Sequence, residues 1–512
     1  MGKWTYSQLE KAVSGTAKIL GDQGIRPGDN VGICFHLSPW AVVSILANMR
    51  LGAAVVPVDP LHPSARRATM LRQAGVQRVL VEESSYAEDM INSGFFVVDT
   101  SALEITSGLD RKVKPLDTEP NPQDKAFVAF TSGSTGTPKG IIQTHQGIVT
   151  VCQALANQLH VTSSSRVAQF HPYIFDVALM EIGMCLGTGA TLCISKKKDM
   201  MLPCPGEVGS QLTAFGITHV TMSPTMLETI NPGDVPTVEV LSVMGESLGR
   251  HAVEQWASTA SRTFYQLWGC TEATILQSIT TAITATHAPR DVGQAVGDTC
   301  RLWIVDPANV NELMAEAAAG ELVVESRALA KGYINRPEET LSSFVERADW
   351  MDVASRGTLY KTGDLAQKEA DGSITFLGRL DSQMNYHGER IELGEINFHL
   401  ERGRPPGVSA CFSEFDAQSQ TVVGFLCTRD TAEKQPQELV LSWSRAGVSR
   451  CAMEHLSRDL VRKGELPPYM VPHLWIPIRQ RPLTISGKTD RTRLRSIVRN
   501  LSTKQRDEYS VR

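Results

Sequence analysis

The segment FTSGSTGTPKG (130–140) concentrates hydroxyls, backbone amides, glycines and a lysine in one short run. Gly133 and Gly136 let a backbone come close to a ligand, and clustered hydroxyls and amides suit phosphate oxygens. Lys139 adds a fixed positive charge. Most Ser/Thr/Gly runs are plain surface loops. This one follows directly on the apolar stretch 126–130, a strand signal, so phosphate binding is the stronger expectation. It is not a Walker A loop, because Pro138 precedes Lys139 and Gly140 follows it, which disfavours a P-loop NTPase. Three other charged residues stand in short conspicuous contexts: Glu272 in GCTE, Asp364 in TGD and Lys488 in SGK. Taken alone, these are a surface glutamate, a turn-former and a solvated turn lysine.

The elements that must position these residues follow an α/β pattern. A helix is expected over 5–20, entered at Thr5 or Ser7, then a strand at 31–35, a helix at 40–50 and a strand at 53–58. Further strands are expected at 169–170, 190–194, 219–222 and 238–244. Strand–helix alternation with β-branched runs implies largely parallel sheets. From about Gly320 closely spaced strands and turns (GELVVES, LYKTGDLA, GSITFLGRLD) indicate a small β-rich, barrel-like part. Mixed α+β segments follow Asp381, including an Arg-rich stretch at 444–462 expected to be a solvated helix face. The tail 500–512 is polar and expected to fray.

Composition sets outer limits. With 512 residues the prior is about three domains, or one large domain with an appendage. A net charge of −5 offers no electrostatic case for nucleic acid or an anionic membrane. The uncharged stretch 31–49 is broken by His36, Ser38, Pro39 and Asn48, so a buried strand–helix passage explains it better than a membrane span. None of the 10 cysteines forms a C-x-x-C pair, which argues against structural zinc. They are expected to be small buried hydrophobes in a reducing, cytoplasmic setting.

Set in order, WTYSQL (4–9), MRLGAAVVPVDP (49–60), FTSGSTGTPKG (130–140), FDVA (175–178), QLWGCTEA (266–273), GELVVESRALAKGYIN (320–335), YKTGDL (360–365), GRLDSQMNYHGERIELGEIN (378–397), LPPYMVP (466–472) and SGKTDR (486–491) cover nearly the whole chain. In these motifs the chain resembles an adenylation domain of a nonribosomal peptide synthetase, in the superfamily of acyl-CoA synthetases and luciferases. The resemblance implies two half-reactions. ATP and an α-amino acid give aminoacyl-AMP and pyrophosphate, and the phosphopantetheine thiol of a carrier protein then takes the aminoacyl group. The first step sets a carboxylate against a triphosphate, so catalysis should be charge neutralisation and positioning. By resemblance, Thr131, Ser132, Gly133, Ser134, Thr135, Gly136 and Lys139 hold the pyrophosphate side. Glu272 binds Mg²⁺ and Thr271 lies near the α-phosphate. Gly245, Glu246, Ser247 and Gln266 line the adenine, flanked by Leu267, Gly269 and Cys270, and Trp268 stacks on it. Asp364 accepts from the ribose hydroxyls, with Phe376 and Arg379 beside the nucleoside. Lys488 bridges the substrate carboxylate and the α-phosphate.

The resemblance also implies an amino-acid pocket made by Phe175, Asp176, Val177, Met180, Thr221, Ser242, Met244, Leu267, Ile275 and Leu276, with Lys488. Asp176 pairs with the α-ammonium. For Phe175, Val177 and Met180 plain core packing is the simpler account, and it leaves Asp176 untouched. The remaining walls carry no charge, so a charged side chain would cost roughly 3–5 kcal/mol; a neutral, mainly apolar amino acid is expected. Met244 and Leu267 stand where smaller residues are common, which favours aliphatic over aromatic. Cys270 replaces the family's usual proline and Trp268 its tyrosine, both compatible with adenine stacking. Asn385 and His387 replace a Lys and an Arg in a loop that faces the site during thiol transfer, so those lost charges bear on the second half-reaction.

The implied organisation is a large N-terminal region, 1–380, and a small mobile C-terminal subdomain, 381–512, hinged at Asp381. Neither a carrier serine motif nor a condensation domain is visible, so the chain is expected to be a monomeric piece of a longer synthetase, with its carrier partner elsewhere. Two other readings stay open. One is an acyl- or aryl-CoA ligase of the same superfamily, which would not need Asp176. The other is an inactive adenylate-binding module, against which the joint presence of Lys139, Glu272, Asp364 and Lys488 argues.

Overall fold

The computed structural model describes residues 2–82, 84–100, 120–131, 137–195, 207–246, 248–257, 262–352, 357–380, 383–386, 389–416, 419, 421–428, 440–443, 448–482 and 489–511. Local signals build the first elements. Thr5 and Gln8 form a reciprocal capping box that starts the helix Tyr6–Asp22. Ser38 caps Pro39–Arg50, where proline occupies the first turn and gives up no hydrogen bond. The uncharged stretch 31–49 is thus a strand, Asn30–Cys34, and a helix, with Val31, Ile33, Ala41, Val43 and Ile45 in the core. Among the described residues no helix is long and apolar enough to cross a membrane.

The architecture is α/β, with three sheets before residue 380. The first has six strands in the order Phe96–Asp99, Arg78–Val81, Asn30–Cys34, Ala54–Pro57, Lys125–Thr131, Lys139–Thr144. Its strands run parallel except the last, which returns antiparallel beside Lys125–Thr131. The second has seven strands, with Thr263–Trp268, Val240–Val243, His219–Met222, Arg166–Gln169 and Thr191–Ile194 all parallel. Short antiparallel strands, Ser278–Ile279 and Gln294–Ala295, extend one edge. The third is antiparallel, built on Cys300–Asp306, Ala319–Ser326 and Thr358–Lys368, with Ile374–Arg379 paired to the last. This is the barrel-like part expected from the closely spaced turns. The strand expected at 169–170 runs instead over Arg166–Gln169, beginning three residues earlier in the chain.

Beyond 383 lie a hairpin, Gln383–Tyr386 with Glu389–Glu392, and a three-stranded sheet, Val408–Asp416, Thr421–Thr428 and Leu474–Ile478. Helices Leu393–Arg402, Arg450–Arg462 and Arg491–Arg499 accompany them. The Arg-rich stretch contributes Arg450–Arg462, which buries Met453, Leu456 and Leu460 and turns its charges outward; residues 444–447 lie outside the described residues. The tail corrects an expectation. Ser502 opens a capped helix, Thr503–Tyr509, instead of a frayed end. Tyr509 is 3% exposed and donates to the Leu441 carbonyl at 3.1 Å, and the Val511 amide donates to His473 O at 2.7 Å. Two apolar anchors, Tyr509 and Val511, outweigh the polar composition around them.

A buried ion pair links this C-terminal part to the rest. Arg66, on the helix Ser64–Gln73, pairs through Nη1 with Glu395 Oε1 at 2.6 Å, their side chains 9% and 0% exposed. Beside it, a Cβ on Gly464 would lie 2.7 Å from Pro63 Cβ, so only glycine lets the two surfaces close this far. Of the cysteines, Cys34, Cys152, Cys185, Cys193, Cys300, Cys411 and Cys427 are buried, as expected of small hydrophobes, while Cys270 is half-buried and Cys451 exposed; no described cysteine is in a disulfide.

Candidate active site

The expected site residues gather at the carboxyl ends of the parallel strands of the second sheet, the edge where α/β sheets leave a crevice for ligands. Gly245 and Glu246 follow Val240–Val243. Gln266 and Trp268 end Thr263–Trp268, and Gly269, Cys270, Thr271 and Glu272 continue from it. Thr131 and Lys139 face each other at the end of the neighbouring sheet, as the last and first residues of paired strands. Ser132, Gly133, Ser134, Thr135, Gly136, Ser247, Asp381, His387 and Lys488 lie outside the described residues, as does the side chain of Asn385.

On the phosphate side, Lys139 is 3.7 Å from Glu339 and its ammonium sits 5.6 Å from the Tyr333 ring centroid. The Tyr333 hydroxyl donates to Glu272 Oε1 at 3.1 Å. Glu272 is 1% exposed, and its carbonyl accepts from the Ala330 amide. Tyr333 therefore joins the expected lysine to the expected metal carboxylate, a link the motif strings did not reveal. Among the described residues no cluster of three or more His, Cys, Asp or Glu side chains could cage a metal. A single buried carboxylate suits Mg²⁺ carried on a triphosphate, which keeps phosphate and water oxygens as its other ligands.

On the nucleoside side, each oxygen of Asp364 already has a donor: Trp268 Nε1 at 3.2 Å on Oδ2 and Arg379 Nη1 at 2.6 Å on Oδ1. A carboxylate accepts about four hydrogen bonds, so ribose hydroxyls can still join. The indole that was expected only to stack also orients the carboxylate. Phe376 packs in the same apolar cluster as Trp268. Gln266 is 4% exposed; its Nε2 donates to Pro289 O at 3.2 Å, and Oε1 lies 3.4 Å from His287 Nε2. Glu246 accepts from both the amide and the hydroxyl of Thr225.

The expected amino-acid pocket begins at Asp176, 6% exposed, in the N-cap position of Val177–Thr188 without capping it. Its Oδ2 instead accepts from Gln143 Nε2 at 2.6 Å and from the Ile275 amide at 3.2 Å. Burial pushes its carboxyl up from 3.8 to about 6; those hydrogen bonds pull the other way, and nearby Glu272 adds to the rise. Val177, Met180, Leu267, Ile275 and Leu276 are all buried. Phe175 and Met244 are partly buried against the same core. Thr221 and Ser242 are register partners on adjacent strands, and their hydroxyls lie 2.8 Å apart. One hydroxyl donates to the other, and the cavity of about 10 Å³ that they line with Glu181, Met184 and His219 includes none of the other expected pocket residues and has room for one water at most.

The loop after Glu272 has an unusual backbone. Thr274 and Ile275, both β-branched, have φ of 67° and 68°. Gln277, 1% exposed, holds it: Nε2 donates to the Ala273 and Thr274 carbonyls, and Oε1 accepts the Cys270 amide. The loop folds so tightly that a Cβ on Gly269 would lie 2.2 Å from Ile275 O. Sequence reasoning missed Gln143, Gln277 and Tyr333. For Gln143 a signal existed: it lies two residues from Ile141 along Lys139–Thr144 and so shares its buried face, a polar residue at a buried strand position.

The sequence pattern of the family described as AMP-binding enzyme matches residues 2–334. Nonribosomal peptide synthetase 4 of Gibberella zeae is 32% identical over 99% of this chain. Malformin synthetase mlfA of Aspergillus luchuensis is 32% identical over 100% of it. The chain spans only 7% and 10% of the lengths of those relatives. Among solved structures, the Vibrio cholerae adenylation domain AlmE, in complex with glycyl-adenosine-5'-phosphate, superposes with a TM-score of 0.77 at 21% identity, covering 98% of this chain and 94% of that one. NpsA-ThdA of Klebsiella oxytoca, an artificially fused adenylation–PCP di-domain, gives 0.76 at 20% identity, covering 93% and 89%. The chain belongs to the AMP-binding enzyme family, as an ATP-dependent, AMP-forming ligase of the adenylation-domain type found in nonribosomal peptide synthetases.

Proposed function

We propose that this chain activates a neutral, mainly apolar α-amino acid as its aminoacyl-AMP and passes the aminoacyl group to the phosphopantetheine thiol of a carrier protein outside the chain. The observation that carries the reading is Asp176: a buried carboxylate with one oxygen committed to protein donors, among apolar walls whose two hydroxyls already pair with each other. A substrate ammonium supplies the positive charge this carboxylate lacks. Nothing described on the walls asks for a polar or charged side chain, and Met244 and Leu267, standing where smaller residues are common, favour aliphatic over aromatic. That the synthetase relatives assemble peptides supports the carrier step.

In the first half-reaction a substrate carboxylate oxygen attacks the α-phosphorus, the bond to the bridging oxygen breaks, and pyrophosphate leaves. Lys139 and the 131–139 segment neutralise the departing charge, Thr271 lies beside the α-phosphate, and Asp364 with Arg379 fixes the ribose. Lys488, from the proposed mobile unit 381–512 hinged at Asp381, bridges carboxylate and α-phosphate. Glu272 would hold Mg²⁺, which when bound offsets triphosphate charge. These assignments share one demand, that two anions meet without water between them.

ATP–pyrophosphate exchange across the proteinogenic amino acids and their des-amino counterparts tests the reading. Exchange is expected with leucine-, isoleucine- or valine-like substrates and little with charged ones. Because only the ionised Asp176 pairs with an ammonium, KM for the amino acid should rise as pH falls below about 6, approaching about tenfold per pH unit. Exchange confined to acids without an α-amine would identify an acyl- or aryl-CoA ligase instead.

A further inference from the structure

Gln143 has no part in the phosphate loop that precedes it, yet it is completely buried. Its Nε2 uses one hydrogen on Asp176 Oδ2, at 2.6 Å, and the other on the Thr271 carbonyl, at 3.0 Å. Both partners are acceptors, so the amide has only one sensible orientation; turned over, it would set oxygen against oxygen. In that orientation Oε1 is buried with no hydrogen-bond partner among the described residues. An unpaired buried acceptor costs stability that an apolar residue of similar size would not. Packing alone does not account for glutamine here.

The two donors on Asp176 converge on the same oxygen. Gln143 approaches from the strand Lys139–Thr144 and the Ile275 amide from the strained loop. Both hydrogen bonds from other described residues go to Oδ2 and none to Oδ1, so the carboxylate is held in one orientation. We propose that Gln143 is a positioning residue for recognition of the substrate amine. It pins Asp176 so that Oδ1 meets the ammonium, and it couples that anchor to Thr271, next to the carboxylate assigned to Mg²⁺. The inference rests on the reading of Asp176 as the amine anchor.

The test compares L-leucine with isocaproate, the same acid without its α-amine, in pyrophosphate exchange on one preparation. If another amino acid gives more exchange, it and its des-amino counterpart are used. The ratio of the two rates cancels any loss of folded protein. In Gln143→Met the amine-to-des-amine ratio of kcat/KM should fall about tenfold or more, mainly through KM for the amino acid, with KM for ATP unchanged. Gln143→Asn, which keeps the amide but falls one methylene short, carries the same expectation and serves if the first variant does not fold. Added to Asp176→Asn, neither change should alter the ratio further. Equal losses on both substrates would overturn the role of Gln143 while leaving the amine reading intact. A wild-type chain that exchanges isocaproate as readily as any amino acid would overturn both.

Discussion

Asp176→Asn should cut exchange with the preferred amino acid by about 10²–10³-fold, because the partner of a buried ammonium is lost, and the same change should make the protein more stable. The two effects have one cause. Burial raises the carboxyl from 3.8 to about 6, so the folded state holds its proton more tightly than the unfolded chain does. The stability contributed by that protonated group is complete below about pH 4 and is lost as pH rises through about 6. At neutral pH the ion is therefore a cost, of order 1–3 kcal/mol at 1.36 kcal/mol per pKa unit. Asparagine keeps an oxygen for Gln143 and the Ile275 amide and never ionises. Melting curves of both proteins between pH 3.5 and 8 should nearly coincide at the acid end, diverge as pH rises from about 4 to about 6, and keep a constant separation above that, with the variant higher. Parallel curves across that range would mean that Asp176 is not the charged group of the pocket.

Arg66→Leu should undock the C-terminal part of the chain. The guanidinium and Glu395 are almost fully enclosed, and removing one member of such a pair costs about 3–5 kcal/mol because the other is left charged and dry. The cheaper response is for the proposed mobile unit to swing away and let Glu395 meet water. Cleavage by a protease near residue 381 should accelerate by about tenfold or more, and the radius of gyration should increase. Arg66→Leu combined with Glu395→Leu removes both charges and should restore most of the wild-type resistance. A single variant cleaved no faster than wild type would show that the ion pair does not hold the two parts together. If undocking follows as expected, the balance between the two proposed half-reactions should move with it.

Elements with local causes were legible in the sequence. Thr5 announced the first helix and the parallel strands show as β-branched runs, while Ser38 and Pro39, read only as breaks in an uncharged stretch, cap and open the second helix. The tail was misread because a polar composition hid the two residues, Tyr509 and Val511, whose contacts at Leu441 and His473 fasten it. Partners distant in sequence were not legible at all. Nothing in the strings around Arg66 and Glu395 announces a pair, and Trp268 reads as an aromatic platform until its indole N–H is seen on Asp364. Most of the candidate site was found through ordered motifs, which carry residue identities but not hydrogen bonds. Gln143 lies just beyond one such motif and escaped notice for that reason.

The left-handed pair Thr274 and Ile275 bears on how this pocket could be retargeted. A β-branched residue at positive φ is strained by roughly 1–3 kcal/mol, and glycine is not. Ile275 meets Asp176 through its backbone amide, which any side chain leaves in place. Trimming this wall to glycine therefore relieves strain while it opens volume, whereas the same cut at Leu276 or Met180 would only leave a hole. The position most confined in conformation is the one that can be emptied at least cost, and a search for variants accepting bulkier amino acids should begin there.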